Sequence, residues 1–325
     1  SSCFFKGQGS SETGIPSKRT ASNFGFYIFR LVNVHFMSVW RVAGPLFVLL
    51  LDLSHVATAL VLRGATQCTE RPVLFVGVAS EPQRVSRRTT VRNTWMKYPV
   101  FRRNVCVDAR FFVGTMGLDN KTLSNLQEEA RINGDIVFLP IEDTYSHLPN
   151  KTMLMFKWLA EHNDARMVMK VDDDTFPHMD VLLKYVKEES VRNKYIYMGS
   201  FLWHHPVLNY GKWAENQRFR SSYYPPFADG PGYLLSGDLV KQIAHEYFHH
   251  RVGEHIILNN EDANVGLALT QLPTKSLVKY VEIQATQWGC GPGDVLSMQL
   301  AENVMQCMWS LREMGKSDNE ICCVR

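Results

Sequence analysis

The sequence contains no paired CxxC clusters at zinc-site spacing, which sets aside a structural zinc. It has no concentrated basic patch: 35 Lys and Arg against 32 Asp and Glu leave a net charge of only +3. That balance excludes the electrostatic footprint of a nucleic-acid binder. Internal repeats and low-complexity blocks are missing, so neither a solenoid nor a disordered chain is expected. There is also no glycine-rich P-loop and no kinase-like element, which argues against those phosphoryl-transfer enzymes. An initiator Met is lacking, and the chain is expected to be a fragment or otherwise incomplete. What is present is ample apolar material: 45% of the 325 residues are hydrophobic and 21% charged, enough to bury a sizeable core.

The first 41 residues carry Lys6, Lys18, Arg19, Arg30 and Arg41 against Glu12 alone. The stretch 42–62, VAGPLFVLLLDLSHVATALVL, has an apolar length that matches a bilayer span. Pro45, Asp52 and His55 also fit a buried or interfacial helix, because a carboxylate is costly at the centre of a bilayer. The reading adopted is a single signal-anchor helix at 42–62. Its positive flank places a tail at 1–41 in the cytosol, followed by a short stem at 63–71 and a lumenal domain at 72–325. Two sequons, Asn120-Lys121-Thr122 and Asn150-Lys151-Thr152, accord with that side. Of the seven cysteines, Cys3 falls in the tail and leaves Cys68, Cys106, Cys290, Cys307, Cys322 and Cys323. Six is an even set, suited to an oxidising compartment.

Continuous apolar runs at 73–80, 109–115 and 135–141 read as strands buried on both faces. Between them, 84–95 and 123–130 carry helical spacing, and Met153, Phe156 and Leu159 make 151–162 a helix. This alternation predicts an α/β fold with a Rossmann-like, mostly parallel central sheet and helices on both faces. Further helices are expected at 181–189, 237–248 and 260–270, with strands at 195–201 and 233–236. The segment 204–226 is rich in aromatics, Pro and His without a clear period, and reads as a functional loop.

At the centre lies the stretch 167–176, where an apolar strand ends in Asp172, Asp173 and Asp174. Pro177 follows, unsuited to continuing a strand and suited to a first helical turn. Three adjacent carboxylates repel one another, so they either cap a helix in solvent or gather a hard divalent cation with substrate phosphates. Arg88 and Arg92, four residues apart, share one helix face. They fit either phosphate oxygens or a solvated basic helix. Glu261 and Asp262 precede an apolar helix, as caps or as a general base. Gly230 and Gly232 mark a turn into a strand or a close approach to a ligand. His245, His249, His250 and His255 lack convincing ligand partners and read as surface or core residues.

Taken in order, these elements resemble the β-1,3-glycosyltransferases of the galactosyltransferase and N-acetylglucosaminyltransferase type, related to Fringe. The likeness rests on Arg88-Thr89-Thr90-Val91-Arg92-Asn93-Thr94-Trp95, on Lys170-Val171-Asp172-Asp173-Asp174-Thr175-Phe176, on Tyr224-Pro225 through Gly232-Tyr233 and Ser236, and on Glu261-Asp262 with Gly266. Upstream, Asp143, Tyr145, Lys151 and Thr152 fit the same pattern. The resemblance implies a GT-A fold, a type II Golgi membrane protein, and inverting transfer from a UDP-sugar donor to a glycan or glycoprotein acceptor. It implies Asp174 as ligand to Mn²⁺, with Mg²⁺ as a substitute, and Asp262 as the base that takes the acceptor proton. The nucleotide-sugar residues implied are Arg88, Arg92, Asp172, Asp173, Gly232 and Glu261, and a Cys290–Cys307 disulfide comes with them. The chain departs from the family in three places: Ala263, His147-Leu148-Pro149, and Met298 or Gln299 where relatives offer a late metal-binding His. A thioether is a poor ligand for a hard ion. The departure leaves three outcomes: water completes the shell, the metal binds more weakly, or the chain is an inactive relative that acts as a binding or chaperone partner.

Overall fold

In the computed structural model, the apolar runs become strands. The structure describes residues 71–101, 107–215, 219–249, 256–287, 289, 294–316 and 320–323. The expected tail, the anchor at 42–62 and all of the stem but Arg71 lie outside the described residues. Among the described residues no helix is long and apolar enough to cross a membrane.

The first half alternates strand and helix: β1 (Leu74–Ala79), α1 (Val85–Asn93), β2 (Val107–Met116), α2 (Asn120–Asn133), β3 (Ile136–Glu142), α3 (Leu148–His162) and β4 (Met167–Asp172). There follow β5 (Phe176–Pro177), α4 (Met179–Arg192), β6 (Ile196–Gly199), β7 (Phe201–Leu202), β8 (Phe227–Ala228), β9 (Gly232–Ser236), α5 (Gly237–His249) and α6 (Glu261–Gln271). The chain continues through β10 (Lys279–Glu282), β11 (Ala285–Gln287), β12 (Leu296–Met298) and α7 (Glu302–Glu313). Seven strands form the main sheet in the order β10-β6-β9-β4-β1-β2-β3. All its neighbours are parallel except β9, which runs antiparallel between β4 and β6. The expected mostly parallel sheet is therefore present, with one reversed strand, β9, third from the β10 edge.

Two apolar cores explain why the inner strands carry no polar face. Leu74, Val76 and Val78 pack with Met167, Met169 and Val171 toward Val91 of α1, Leu182 of α4 and Met308 of α7. The alternate residues Phe75, Phe112 and Val168 point the other way, toward Phe156 of α3, Val240 of α5 and Leu269 of α6. A strand with period-2 side chains, buried on both faces, must be apolar throughout. Gly77 shows how close the packing is, since a Cβ there would lie 2.7 Å from Met155 Sδ.

Two expectations change. Pro177 does not open a helix: it pairs antiparallel with Leu296 in the small sheet β11-β12-β5, and α4 begins at Met179. A strand this short has a free edge position for a residue without N–H. The cysteine pairing also differs. Cys307 bonds Cys322, not Cys290, because the short helix Glu320–Cys323 packs back on α7; Cys323 is disulfide-bonded as well. Of the two sequons, Asn120 is exposed at the start of α2, whereas Asn150 Oδ1 accepts a hydrogen bond from Tyr247 at 2.7 Å within α3.

Candidate active site

The carboxyl ends of β1 and β4, the N-terminus of α6 and the 203–215 loop enclose a cavity of about 500 Å³. A ligand crevice beyond the carboxyl ends of strands is the expected location in an open α/β sheet. The cavity is lined by Asp172, Asp173 and Asp174 on one side and by Glu261 and Asp262 on another. The irregular 204–226 segment lies against it through His205, Leu208, Lys212 and Trp213. Lys212 Nζ sits 4.0 Å from the Trp213 ring centroid and 4.8 Å from that of Tyr145. Glu215 ties this loop to α6 by accepting from the backbone of Asn259 and Asn260 at 2.8 and 3.1 Å.

The three aspartates do different things. Asp172 is the open one, its side chain 40% exposed and 3.0 Å from Lys170 Nζ. Asp173 turns inward at 1% exposure, where it accepts from Ser80 Oγ at 2.7 Å and from Arg84 at 3.2 Å. A carboxylate so occupied holds the loop after β1 and does not reach the cavity as a free ligand. Asp174 is crowded: burial first, then the charges on Asp172 and Asp173, push its carboxyl up to about 6. Its Oδ1 is buried and has no hydrogen-bond donor among the described residues.

At α6 the cap is Asn260, whose side chain accepts from the backbone N–H groups of Asp262 and Ala263, so neither acid is spent as a cap. Glu261 is fully engaged. Its Oε1 accepts from Thr152 at 2.7 Å and Tyr233 at 3.0 Å, and its Oε2 lies 3.0 Å from Lys170. Burial works against its ionised form, yet Lys170 holds the carboxyl below the ordinary range. Asp262 stands opposite in character: burial, then the charge of Glu261, raise its carboxyl well above the ordinary range. Its Oδ1 also lacks a donor. Gly230 is required here, since a Cβ would lie 2.5 Å from Asp262 Oδ2.

The structure does not bring Arg88 and Arg92 to the carboxylates. Arg88 is fully buried and binds Glu129 of α2 through Nε and Nη2 at 2.9 and 2.7 Å. It also donates to Ser80 Oγ and to the carbonyls of Glu81 and Pro82. Arg92 forks onto Asp135 at 2.8 Å twice and reaches Glu129 at 2.7 Å. Their phosphate reading gives way to a structural one: they clamp α1 to α2, and Arg88 shapes the Ser80 loop that seats Asp173. Gly232 likewise serves packing, as its Cβ would come 2.9 Å from Leu296 Cδ1. Lys170, Arg84 and Gln299 also line the cavity; Gln299 stands out in sequence only as a departure from the family, where relatives offer a late His, and Arg84 has no role of its own there. Lys170 had a signal, lying two residues before Asp172 on the same strand face.

A cavity at the strand ends lined by carboxylates, some engaged and some free, offers groups for acid–base or metal-assisted chemistry. The profile of the family described as Galactosyltransferase matches residues 86–277, more than half of the chain, and the chain belongs to that family. It is 38% identical over 188 residues to β-1,3-galactosyltransferase 6 of Mus musculus, covering 57% of this chain and 58% of that one. It is 30% identical to hydroxyproline O-galactosyltransferase GALT6 of Arabidopsis thaliana over 74% of this chain and 35% of that one. Identity is 31% to UDP-GalNAc:β-1,3-N-acetylgalactosaminyltransferase 2 of Danio rerio, over 57% of this chain and 36% of that one. The chain thus spans between about a third and three fifths of the length of these relatives.

Proposed function

We propose that this chain is an inverting β-1,3-glycosyltransferase of GT-A architecture. It moves galactose or an N-acetylhexosamine from a UDP-sugar to a glycan hydroxyl. Family membership and the names of the relatives support the reaction class. The observation that carries the reading is Asp262: a buried carboxyl with a raised proton affinity and an unpartnered oxygen, held on one wall of the cavity that Asp174 lines on another. A general base needs a higher proton affinity than a free carboxyl has, and burial beside Glu261 acts in that direction.

In this reading Asp262 Oδ1 takes the proton of the acceptor hydroxyl as that oxygen attacks the anomeric carbon. One in-line displacement through an oxocarbenium-like state inverts the centre. Lys170 holds Glu261 ionised, and that fixed negative charge keeps Asp262 basic. Asp172 and Arg84 bind the nucleotide from the β4 and β1 ends, and Trp213 and Tyr145 cover the sugar and exclude water. The residues also fit a divalent cation: Asp174 offers a hard oxygen without a donor, and crowding by like charges is what a cation relieves. When bound, Mn²⁺ or Mg²⁺ would neutralise the leaving diphosphate. The apolar run at 42–62, the exposed Asn120 sequon and the Cys307–Cys322 disulfide support a type II Golgi protein with this domain in the lumen.

The test is a donor screen of the purified protein against UDP-Gal, UDP-GlcNAc and UDP-GalNAc with Mn²⁺, reading UDP release and product linkage. Turnover of one of these with a β-1,3 product is expected. UDP binding without turnover of any donor under any metal would replace this reading with that of a catalytically inactive partner protein.

A further inference from the structure

Six buried side-chain atoms among the described residues lack a hydrogen-bond partner. Three are nitrogens, of Trp95, Trp309 and Asn264, and none of these residues lines the cavity. The other three are oxygens, Asp174 Oδ1, Asp262 Oδ1 and Gln299 Oε1, and all three residues line it. Unpartnered acceptors gathered in one cavity call for a cation or for donors on a ligand. The three oxygens then divide. A second cavity, of about 670 Å³, lies beside the first and is lined by Arg87, Leu300, Ala301 and Asn303 among others. Asp174 and Gln299 are the two residues common to both cavities, and Asp262 belongs only to the first.

The backbone holds Gln299 there at a cost. It follows the end of β12 with φ +58°, one of two non-glycine residues among those described in the left-handed region. Glutamine is disfavoured in that region and persists where its surroundings over-determine it. Two bonds do so: Leu300 N–H donates to Asp174 O at 2.8 Å, and Leu300 O accepts from Arg87 Nη1. The same link joins the residue after Gln299 to the backbone of Asp174.

We propose that Gln299 supplies its amide oxygen as the second protein ligand of the divalent cation held by Asp174, at the junction of the two cavities. This rests on the metal-dependent reading above. One carboxylate and one amide oxygen make a hard, singly charged set, which leaves further positions for diphosphate oxygens and water. Such a set favours Mn²⁺ and Mg²⁺ and gives no advantage to Zn²⁺, which prefers nitrogen and sulfur.

The test measures Mn²⁺ binding directly, by loss of the free-ion electron paramagnetic resonance signal, on the purified full chain with saturating UDP. Gln299→Met keeps length and removes the oxygen, and is expected to weaken Mn²⁺ by about 10-fold or more, as loss of even an outer partner does. Gln299→Glu adds charge at the same oxygen and is expected to tighten it. Gln299→His is expected to move preference toward Zn²⁺. Melting curves without metal verify that each variant is folded. Wild type that binds Mn²⁺ while Gln299→Met and Gln299→Glu bind it equally well overturns this assignment and leaves the metal-dependent reading standing. Wild type that binds no Mn²⁺ with UDP overturns both.

Discussion

Replacing Asp174 by Asn should stabilise the metal-free protein, because the native carboxylate is held where it is unwelcome. Its proton affinity is raised from 3.8 to about 6 by burial and by Asp172 and Asp173. At 1.36 kcal/mol per pH unit, that rise corresponds to ~3 kcal/mol against the ionised form. The folded-state value lies above the unfolded one, so the group favours folding below pH 3.8 and loses that advantage as pH rises through 6. The amide in the Asp174→Asn variant would carry no charge at any pH. The side chain is partly open, which trims the gain to about 1–3 kcal/mol at pH 7.5, or roughly 3–10 °C in melting temperature for a domain of this size. The assay is a pair of melting curves with EDTA at pH 7.5 and pH 4.5. The variant should melt higher at pH 7.5, with the difference shrinking toward pH 4.5. Added Mn²⁺ and UDP should then raise the wild type, by about 2.7 kcal/mol at 100 times Kd, and leave the variant unmoved. A variant that melts below wild type at pH 7.5 without metal, or that gains as much from Mn²⁺, would show that Asp174 is neither crowded as an anion nor a metal ligand.

Further outcomes are expected elsewhere in the fold. Arg88→Met and Glu129→Gln each break the clamp between α1 and α2 and should each cost ~3–5 kcal/mol in urea unfolding; were Arg88 a phosphate ligand, only its replacement would lower UDP affinity. Gly230→Ala should displace the Asp262 carboxylate and cut transfer by about 100-fold while melting stays near wild type. Removing the Cys307–Cys322 bond, which closes a separation of 15 residues, should lower stability by about 3 kcal/mol, read by melting with and without reductant.

Much of the fold was legible because the inner strands are apolar on both faces and alternate with helical stripes. The 73–80 run became β1, and the strand before the carboxylates ended where its apolar residues end, at Asp172. The motifs around Asp174 and Asp262 also named residues that the fold does bring to one cavity. What sequence could not show is which acid meets which base. The spacing of Arg88 and Arg92 puts them on one face, but their partners Glu129 and Asp135 arrive from α2 and the residue before β3, 41 and 43 positions later. Asp173 is indistinguishable in sequence from its neighbours, yet it turns inward and finds Ser80. Gln299 is marked in sequence only as a departure where relatives offer a late His, and its left-handed backbone after β12 shows only in the fold. Six cysteines allow 15 pairings, and only the fold of the last helix onto α7 chooses Cys322 for Cys307.

Asp262 is proposed as the base of a sugar transfer whose donor is bound by other residues. The most direct measurement compares wild type with Asp262→Asn in two ways, by titration calorimetry of UDP with Mn²⁺ and by single-turnover transfer. UDP affinity is expected to stay within about threefold and the transfer rate to fall by about 10²–10⁴. An unchanged transfer rate in the variant would contradict that role.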